Sequence, residues 1–336
     1  MAATIKDVAR LAEVAVGTVS RYLNGYKVTA VNRLRIESAI KSLDFKINPI
    51  ARSLKTNKSM TVAVIVPALA NIFSMNIIES IERHLDQFGY SVMVCDSQYG
   101  LAKERAKLEF VKEKYADGVV LMPICDRGSH IAGALGPEIP VVLVDRLVDD
   151  FVTDAVVVDN INAVYQAVEE LIVRGHRRIG MIAGPQGIFT ARERLEGYRR
   201  VLKDYGIAED ASLILYGDYL TVTGYQQMQR LLLEERRPTA VIVSNYEMTL
   251  GAVTCLNDQG IAIPEDLSVV GFDQLELSGL VKPALSVIVQ PKEEIGLEAA
   301  KILVRRMNGD KSGPPTIVRL KARFLRRDSI RDLNTT

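Results

Sequence analysis

"TIKDVARLAEVAVGTVSRYLNG", residues 4 to 25, carries two helical periods within a short span. Thr4 can cap a helix whose third position is Asp7, a variant of the capping box, and Ile5, Val8, Ala9 and Ala12 recur at helical spacing. A second helix is expected from Val16 to Asn24, with Gly25 where a left-handed C-terminal cap belongs. On a wheel of about 100° per residue, Val16, Val19, Tyr22 and Leu23 share one arc. Gly17, Ser20, Arg21 and Asn24 share the opposite one. That outer face combines a guanidinium with small polar groups and no long apolar residue, which is what an element entering a major groove requires. A third helix follows, capped by Thr29, with Ile36, Ala39, Ile40 and Leu43 as its apolar stripe. Three short helices can share one small core.

Charge supports this separation from the rest of the chain. The net charge over 336 residues is only +1, but residues 1–58 hold 11 Lys or Arg against 4 Asp or Glu, a net of +7. The remainder therefore carries −6. A basic module attached to a mildly acidic body points to a polyanion as partner of the small part. Between the two, "NPIARSLKT" at residues 48–56 offers Asn48 as a helix cap and Pro49 at the first helical position. Helices shorter than about 12 residues are marginal in water, so this one must form with help from DNA or from a second copy.

From Thr61 onward, Val- and Ile-rich runs alternate with helical stretches: "TVAVIVP", "YSVMVCDS", "DGVVLMP", "PVVLVDR" and "AVVVDN", then again "RIGMIAGP", "SLILYGDY", "TAVIVSN" and "LSVVGFD". Apolar runs without alternation, separated by helices, read as parallel strands buried on both faces. The pattern predicts two α/β halves, with the tail "TIVRLKARFLRRD" returning to both. Ligands of open parallel sheets bind beyond the carboxyl ends of the strands. The polar and aromatic residues there are Asp145, Arg146, Tyr219, Asn245 and Asp273, with Phe73, Thr190 and Arg194 opening the following helices. Carboxylates, guanidinium groups, an amide and aromatic faces together suit a polyhydroxylated, sugar-like ligand. Arg192, on the same helix as Arg194, is read as a surface ion-pair residue, and His176 as a cation at a helix end.

The first sixty residues resemble the headpiece of the lactose/galactose repressor (LacI/GalR) family of bacterial transcription regulators, and the likeness extends over nearly the full chain. It implies a fold of a small all-α helix-turn-helix headpiece plus an α/β periplasmic-binding-protein-like core of two Rossmann-like subdomains. The implied boundaries are 1–47 for the headpiece, 48–60 for a hinge helix and linker, and 61–336 for the core. Within the core, residues of about 61–160 and 290–320 form one subdomain, and 161–289 and 321–336 the other. By the same resemblance Val16, Gly17 and Arg21 read bases, while Thr4, Thr18, Ser20 and Asn24 position the DNA backbone. Arg52 and Leu54 of the hinge lie in the minor groove, Leu54 as a wedge. Phe73, Asp145, Arg146, Thr190, Arg194, Tyr219, Asn245 and Asp273 take the effector. The chain departs from the family at Ala15, where a capping serine is usual, at Ser74, where many members have an aromatic, and at Tyr246, where aspartate is common.

The expected function is a homodimeric repressor of carbohydrate-utilisation genes whose affinity for double-stranded operator DNA is changed by a small sugar-like effector. The alternatives are a corepressor-dependent regulator responding to a nucleobase, sugar phosphate or sugar acid, and a sugar-binding protein without a DNA role. An enzyme is disfavoured: neither G-x-G-x-x-G after a strand nor G-x-x-x-x-G-K-[ST] occurs, and His84, His130 and His176 lack metal-ligand spacing. No cofactor or metal is expected. Three widely spaced cysteines, Cys95, Cys125 and Cys255, read as reduced thiols. With no secretory signal and no apolar run of membrane-spanning length, a cytoplasmic protein without membrane partners is expected.

Overall fold

The structure is a computed structural model and describes residues 3–23, 25–45, 58–273, 282–313 and 315–334. Asn24, Arg52, Leu54 and the expected hinge helix fall outside these residues. The chain divides into two compact units, Met1–Ser59 and Met60–Thr336.

In the first unit, α1 (Ile5–Leu11), α2 (Val16–Leu23) and α3 (Ala30–Ser42) surround a core of Val8, Ala9, Ala12, Val19, Ile36 and Ala39. The capping box closes α1: Thr4 Oγ1 accepts from Asp7 N at 3.4 Å, and Thr4 N donates to Asp7 Oδ2 at 3.0 Å. Thr29 Oγ1 accepts from Asn32 N at the start of α3. Gly25 follows α2 with φ 78°, the left-handed conformation that a Cβ would penalise. Val16 corrects the helical wheel: it is 42% exposed, whereas Val19 is fully buried and Tyr22 and Leu23 pack half-buried beside it. The helix has only eight residues, and Val16 at its start lies outside the small core.

The second unit contains two sheets. The first is built from β1 (Thr61–Val66), β2 (Ser91–Asp96), β3 (Gly118–Leu121), β4 (Val141–Val144), β5 (Asp154–Val158) and β11 (Ile317–Leu320), in the order β11-β5-β4-β3-β1-β2. The second is built from β6 (Ile179–Ala183), β7 (Ile214–Tyr216), β8 (Ala240–Val243), β9 (Ser268–Phe272), β10 (Ser286–Val289) and β12 (Arg323–Leu325), in the order β12-β10-β9-β8-β6-β7. Neighbours run parallel except β12, which is antiparallel to β10. Strands β3, β4, β5, β6, β8 and β9 are buried at every residue, which is why their sequences are continuous apolar runs.

The intervening helices are α4 (Ile72–Asp86), α5 (Leu101–Glu113), α6 (Ser129–Leu135), α7 (Asn160–Val173), α8 (Phe189–Asp204), α9 (Thr221–Leu233), α10 (Tyr246–Asp258) and α11 (Lys292–Met307). The chain passes between the halves after β5, after β10, and between β11 and β12. Accordingly α7 packs Val164, Val168 and Leu171 on the second sheet, and α11 packs Ile295, Ala299 and Leu303 on the first. Helices α9 and α10 approach closely at Gly251, where a Cβ would stand 1.9 Å from Thr221 O.

His176 is not a helix-end cation. It is 1% exposed, its Nδ1 meets Thr239 Oγ1 at 2.9 Å and its Nε2 meets Arg331 O at 3.1 Å. Burial pushes its pKa below the ordinary histidine value, so the neutral ring fastens the C-terminal segment to the second half.

Candidate nucleic-acid face and ligand cleft

The outer side of α2 is open. Gly17 and Arg21 are exposed, and a Cβ at Gly17 would meet nothing within 4 Å. The Arg21 guanidinium forms no ion pair among the described residues. Thr18 and Ser20 are half-buried, and Thr4 spends its hydroxyl proton on Asp7 Oδ2 at 2.7 Å. The helix begins from Ala15, whose carbonyl accepts from Thr18 N and Val19 N but whose side chain cannot cap. No acidic residue stands in the first turn of α2, so no side chain there offsets the positive end of its dipole.

In the second unit, three strand-end residues singled out from the sequence share an uncommon backbone: Asp145 at φ 72°, Tyr219 at φ 72° and Asp273 at φ 67°. A non-glycine residue held there costs about 1–3 kcal/mol and persists where its surroundings over-determine it. Those surroundings are visible. Thr190 Oγ1 lies 3.5 Å from the Tyr219 hydroxyl, and the Tyr219 ring fills the space a Cβ at Gly184 would need, with ring carbons 2.3 Å from it. Asn245 Nδ2 donates to Tyr219 O at 3.0 Å and to Glu247 Oε2 at 2.8 Å, while its Oδ1 caps α10 through Met248 N at 3.1 Å. Both N–H groups of Asn245 are therefore used within the protein.

Arg194 is the centre of the second half's polar network. It is 4% exposed, donates from Nε to Asn160 Oδ1 at 2.8 Å and from a terminal nitrogen to Ser244 O at 2.6 Å, and stacks 3.8 Å above the Phe272 ring. Gln290 links it to Asp273: its Nε2 donates to Asp273 Oδ2 at 3.0 Å. Burial holds the Asp273 carboxyl above the usual range, and the charges of Arg194 and Lys292 oppose that. In the first half, Arg146 binds Asp145 Oδ2 at 3.2 Å and Pro123 O at 2.9 Å, both residues buried, while Phe73 packs half-buried against the first core. Thr190, Tyr219 and Asn245 are thus joined in one hydrogen-bonded group, and Arg194 and Asp273, through Gln290, in another. Among the described residues, neither group is hydrogen-bonded to Phe73, Asp145 or Arg146.

Several contacts that the sequence does not announce bridge the halves, among them Arg319 of β11, which pairs with Glu193 of α8 at 2.8 Å. Asn71, the cap of α4, donates to Glu247 Oε1 at 2.9 Å. Asp126, after β3, accepts from Phe189 N at 2.8 Å and pairs with Arg192. Arg192 is the ion-pair residue its exposure and type suggested, but its partner comes from the opposite half. Burial raises the Glu247 pKa, with the Asp273 charge acting in the same direction. Asn71, Asp126, Glu247 and Gln290 all follow strands or open helices, so strand-end position was the one available signal.

Comparison with known proteins gives matches over the whole chain. Residues 4–48 match the model of bacterial regulatory proteins of the lacI family, and residues 168–330 match a periplasmic binding protein-like domain. The HTH-type transcriptional repressor CytR of Escherichia coli K12 is 36% identical over 318 residues, covering 93% of this chain and 92% of that protein. The structure of a CelR–cellobiose complex is 31% identical with a TM-score of 0.74, covering 97% of this chain and 99% of that one. The lac repressor dimer bound to operator and the anti-inducer ONPF is 26% identical with a TM-score of 0.87, covering 98% and 100%. No helix among the described residues is long and apolar enough to cross a membrane.

Proposed function

Because the chain belongs to the lacI family of bacterial transcription regulators, we propose that it is a cytoplasmic homodimeric repressor of carbohydrate-utilisation genes, released from its operator by a small sugar-like effector. DNA binding through the helix-turn-helix is the family activity, and the repressor is not an enzyme. The observation that carries the DNA reading is the division of α2 into a buried Val19 and an open face of Gly17 and Arg21. Arg21 takes the base-reading role, bidentate to guanine, Thr18, Ser20 and Asn24 engage phosphates, and Thr4, whose donors are spent on Asp7, serves by fixing the start of α1. Arg52 and Leu54 enter the minor groove from a hinge that a second copy completes.

The effector reading rests on the polar and aromatic residues at the strand ends and helix starts of the two halves. Thr190, Arg194, Tyr219 and Asp273 supply hydroxyl, guanidinium, aromatic and carboxylate groups on one side. Phe73, Asp145 and Arg146 supply an aromatic face and an ion pair on the other. Asn245 is included as a residue that holds Glu247 and Tyr219 in place. Such a set meets the mixed donors and acceptors of a polyol, and the relative solved as a CelR–cellobiose complex holds a sugar. Effector and operator influence one another through one coupling free energy, typically about 1–3 kcal/mol.

Removing residues 1–58 tests both parts. The shortened chain is expected to lose sequence-specific DNA binding while retaining a thermal shift with whichever of cellobiose, ribose, glucose 6-phosphate or gluconate stabilises the full chain. Persistence of specific DNA binding would overturn the headpiece assignment. Stabilisation only by the phosphate or the acid would replace the neutral sugar as effector class.

A further inference from the structure

We propose that Asp126 is a positioning residue that caps helix α8 from the opposite half of the molecule, so that the helix bearing Thr190 and Arg194 is completed only when the cleft is closed. The N-terminal boundary of α8 is Ile188, which has no side-chain acceptor, and α8 starts without a side-chain cap of its own. Orphan N–H groups at a helix start need a partner, and the favoured ones are side-chain oxygens of Ser, Thr, Asp or Asn. Here the oxygen belongs to a residue 63 positions earlier: Asp126 Oδ1 accepts from Phe189 N at 2.8 Å.

The same carboxylate settles a second problem. Arg192 lies in the first turn of α8, where a cation opposes the helix dipole, and its guanidinium is paired with Asp126 Oδ2. Asp126 is 8% exposed although it sits on a connection between β3 and α6. Its backbone carbonyl is held in its own half by Asp149 N at 2.7 Å, while its carboxylate reaches across to the helix end. Thr190 is one residue beyond Phe189, so fraying of this turn displaces the hydroxyl near Tyr219, whereas Arg194, five residues beyond, is also held by Asn160, Ser244 and the Phe272 ring. The second bridge, Asn71 to Glu247, joins helices α4 and α10 and touches no atom of α8. That bridge reaches α8 by keeping Asp126 in place and, through Asn245 and Tyr219, at the Thr190 hydroxyl, while Arg319 of β11 adds a separate pair with Glu193 further along α8. The proposal concerns the two halves alone and stands apart from the identity of any effector.

Amide hydrogen exchange of the full chain tests it, read at residues 189–192 and, as internal reference, at the first turn of α7, which carries its own cap from Asp159. Asp126→Ala is expected to speed exchange in the α8 turn about fivefold, the factor that a lost cap corresponds to, with the α7 turn unchanged. Asp126→Asn keeps an acceptor oxygen and is expected to retain most of the protection. Glu247→Ala is expected to speed exchange in the same α8 turn, and to add nothing in the Asp126→Ala background. Unchanged α8 exchange in Asp126→Ala would overturn the cap. Faster exchange in Asp126→Ala but not in Glu247→Ala would leave a local cap and overturn its dependence on closure.

Discussion

Replacing Arg194 by Met retains the length of the side chain and removes its charge from the middle of the second half. The guanidinium is 4% exposed, so solvent screens it little. Its loss leaves Asn160 Oδ1 and Ser244 O without a donor and Asp273 without its nearest cation. Breaking a buried charge arrangement by deleting one partner costs about 3–5 kcal/mol, and the stranded acceptors belong to that cost. We expect a loss near the middle of that range at pH 7.5, read from urea unfolding followed by far-ultraviolet circular dichroism. Adding Asp273→Asn removes the stranded carboxylate and is expected to restore about 1–3 kcal/mol, the coupling found for residues that share a network. The sign with pH follows from the raised pKa of Asp273. Between the ordinary unfolded value and the raised folded one, the native state binds a proton that the unfolded chain does not, so acidification stabilises the native state through this group. The Arg194→Met penalty should therefore shrink as pH falls, and should do so less once Asp273 is Asn. A penalty under about 1 kcal/mol, or equal penalties with Asp and Asn at position 273, would refute Arg194 as the counter-charge.

His176→Gln tests the buried neutral ring. Its folded pKa lies below the ordinary value of 6.5, so as pH falls through that value the unfolded chain takes up a proton that the native state refuses, and stability is lost. Melting temperatures at pH 7.5 and 5.5 should fall more for the wild type than for the variant, and parallel falls would contradict the assignment. Gly251→Ala places a methyl 1.9 Å from Thr221 O, and forcing α9 and α10 apart should cost about 1–3 kcal/mol in the same unfolding assay; a neutral variant would contradict the close packing.

The parts of the molecule legible in the sequence are those set by neighbours along the chain. Thr4 and Thr29 announce their helices because a cap and its N–H lie three residues apart. The runs VVLV and AVIV announce buried strands because both faces of the sheets are covered. Asp145, Tyr219 and Asp273 could be placed at strand ends, but their left-handed φ values could not, since local propensity disfavours that conformation for them. The bridges were hidden for a different reason. Asn71 and Glu247 are 176 residues apart and Asp126 and Phe189 are 63 apart, so only tertiary packing brings them together. Val16 illustrates the limit of a helical wheel, which assigns faces but not where along a short helix the core ends.

Repression by this chain requires α2 to read bases, and Arg21 is the side chain placed to do so. Duplexes selected from a random pool by the wild-type chain provide the specific probe, and a scrambled duplex of equal length the non-specific one, both titrated at one fixed salt concentration. Arg21→Ala is expected to weaken the selected duplex by about 1–3 kcal/mol, roughly five- to 150-fold, and the scrambled duplex far less. Equal weakening of both would make Arg21 a phosphate contact, and no weakening of either would remove α2 from the interface.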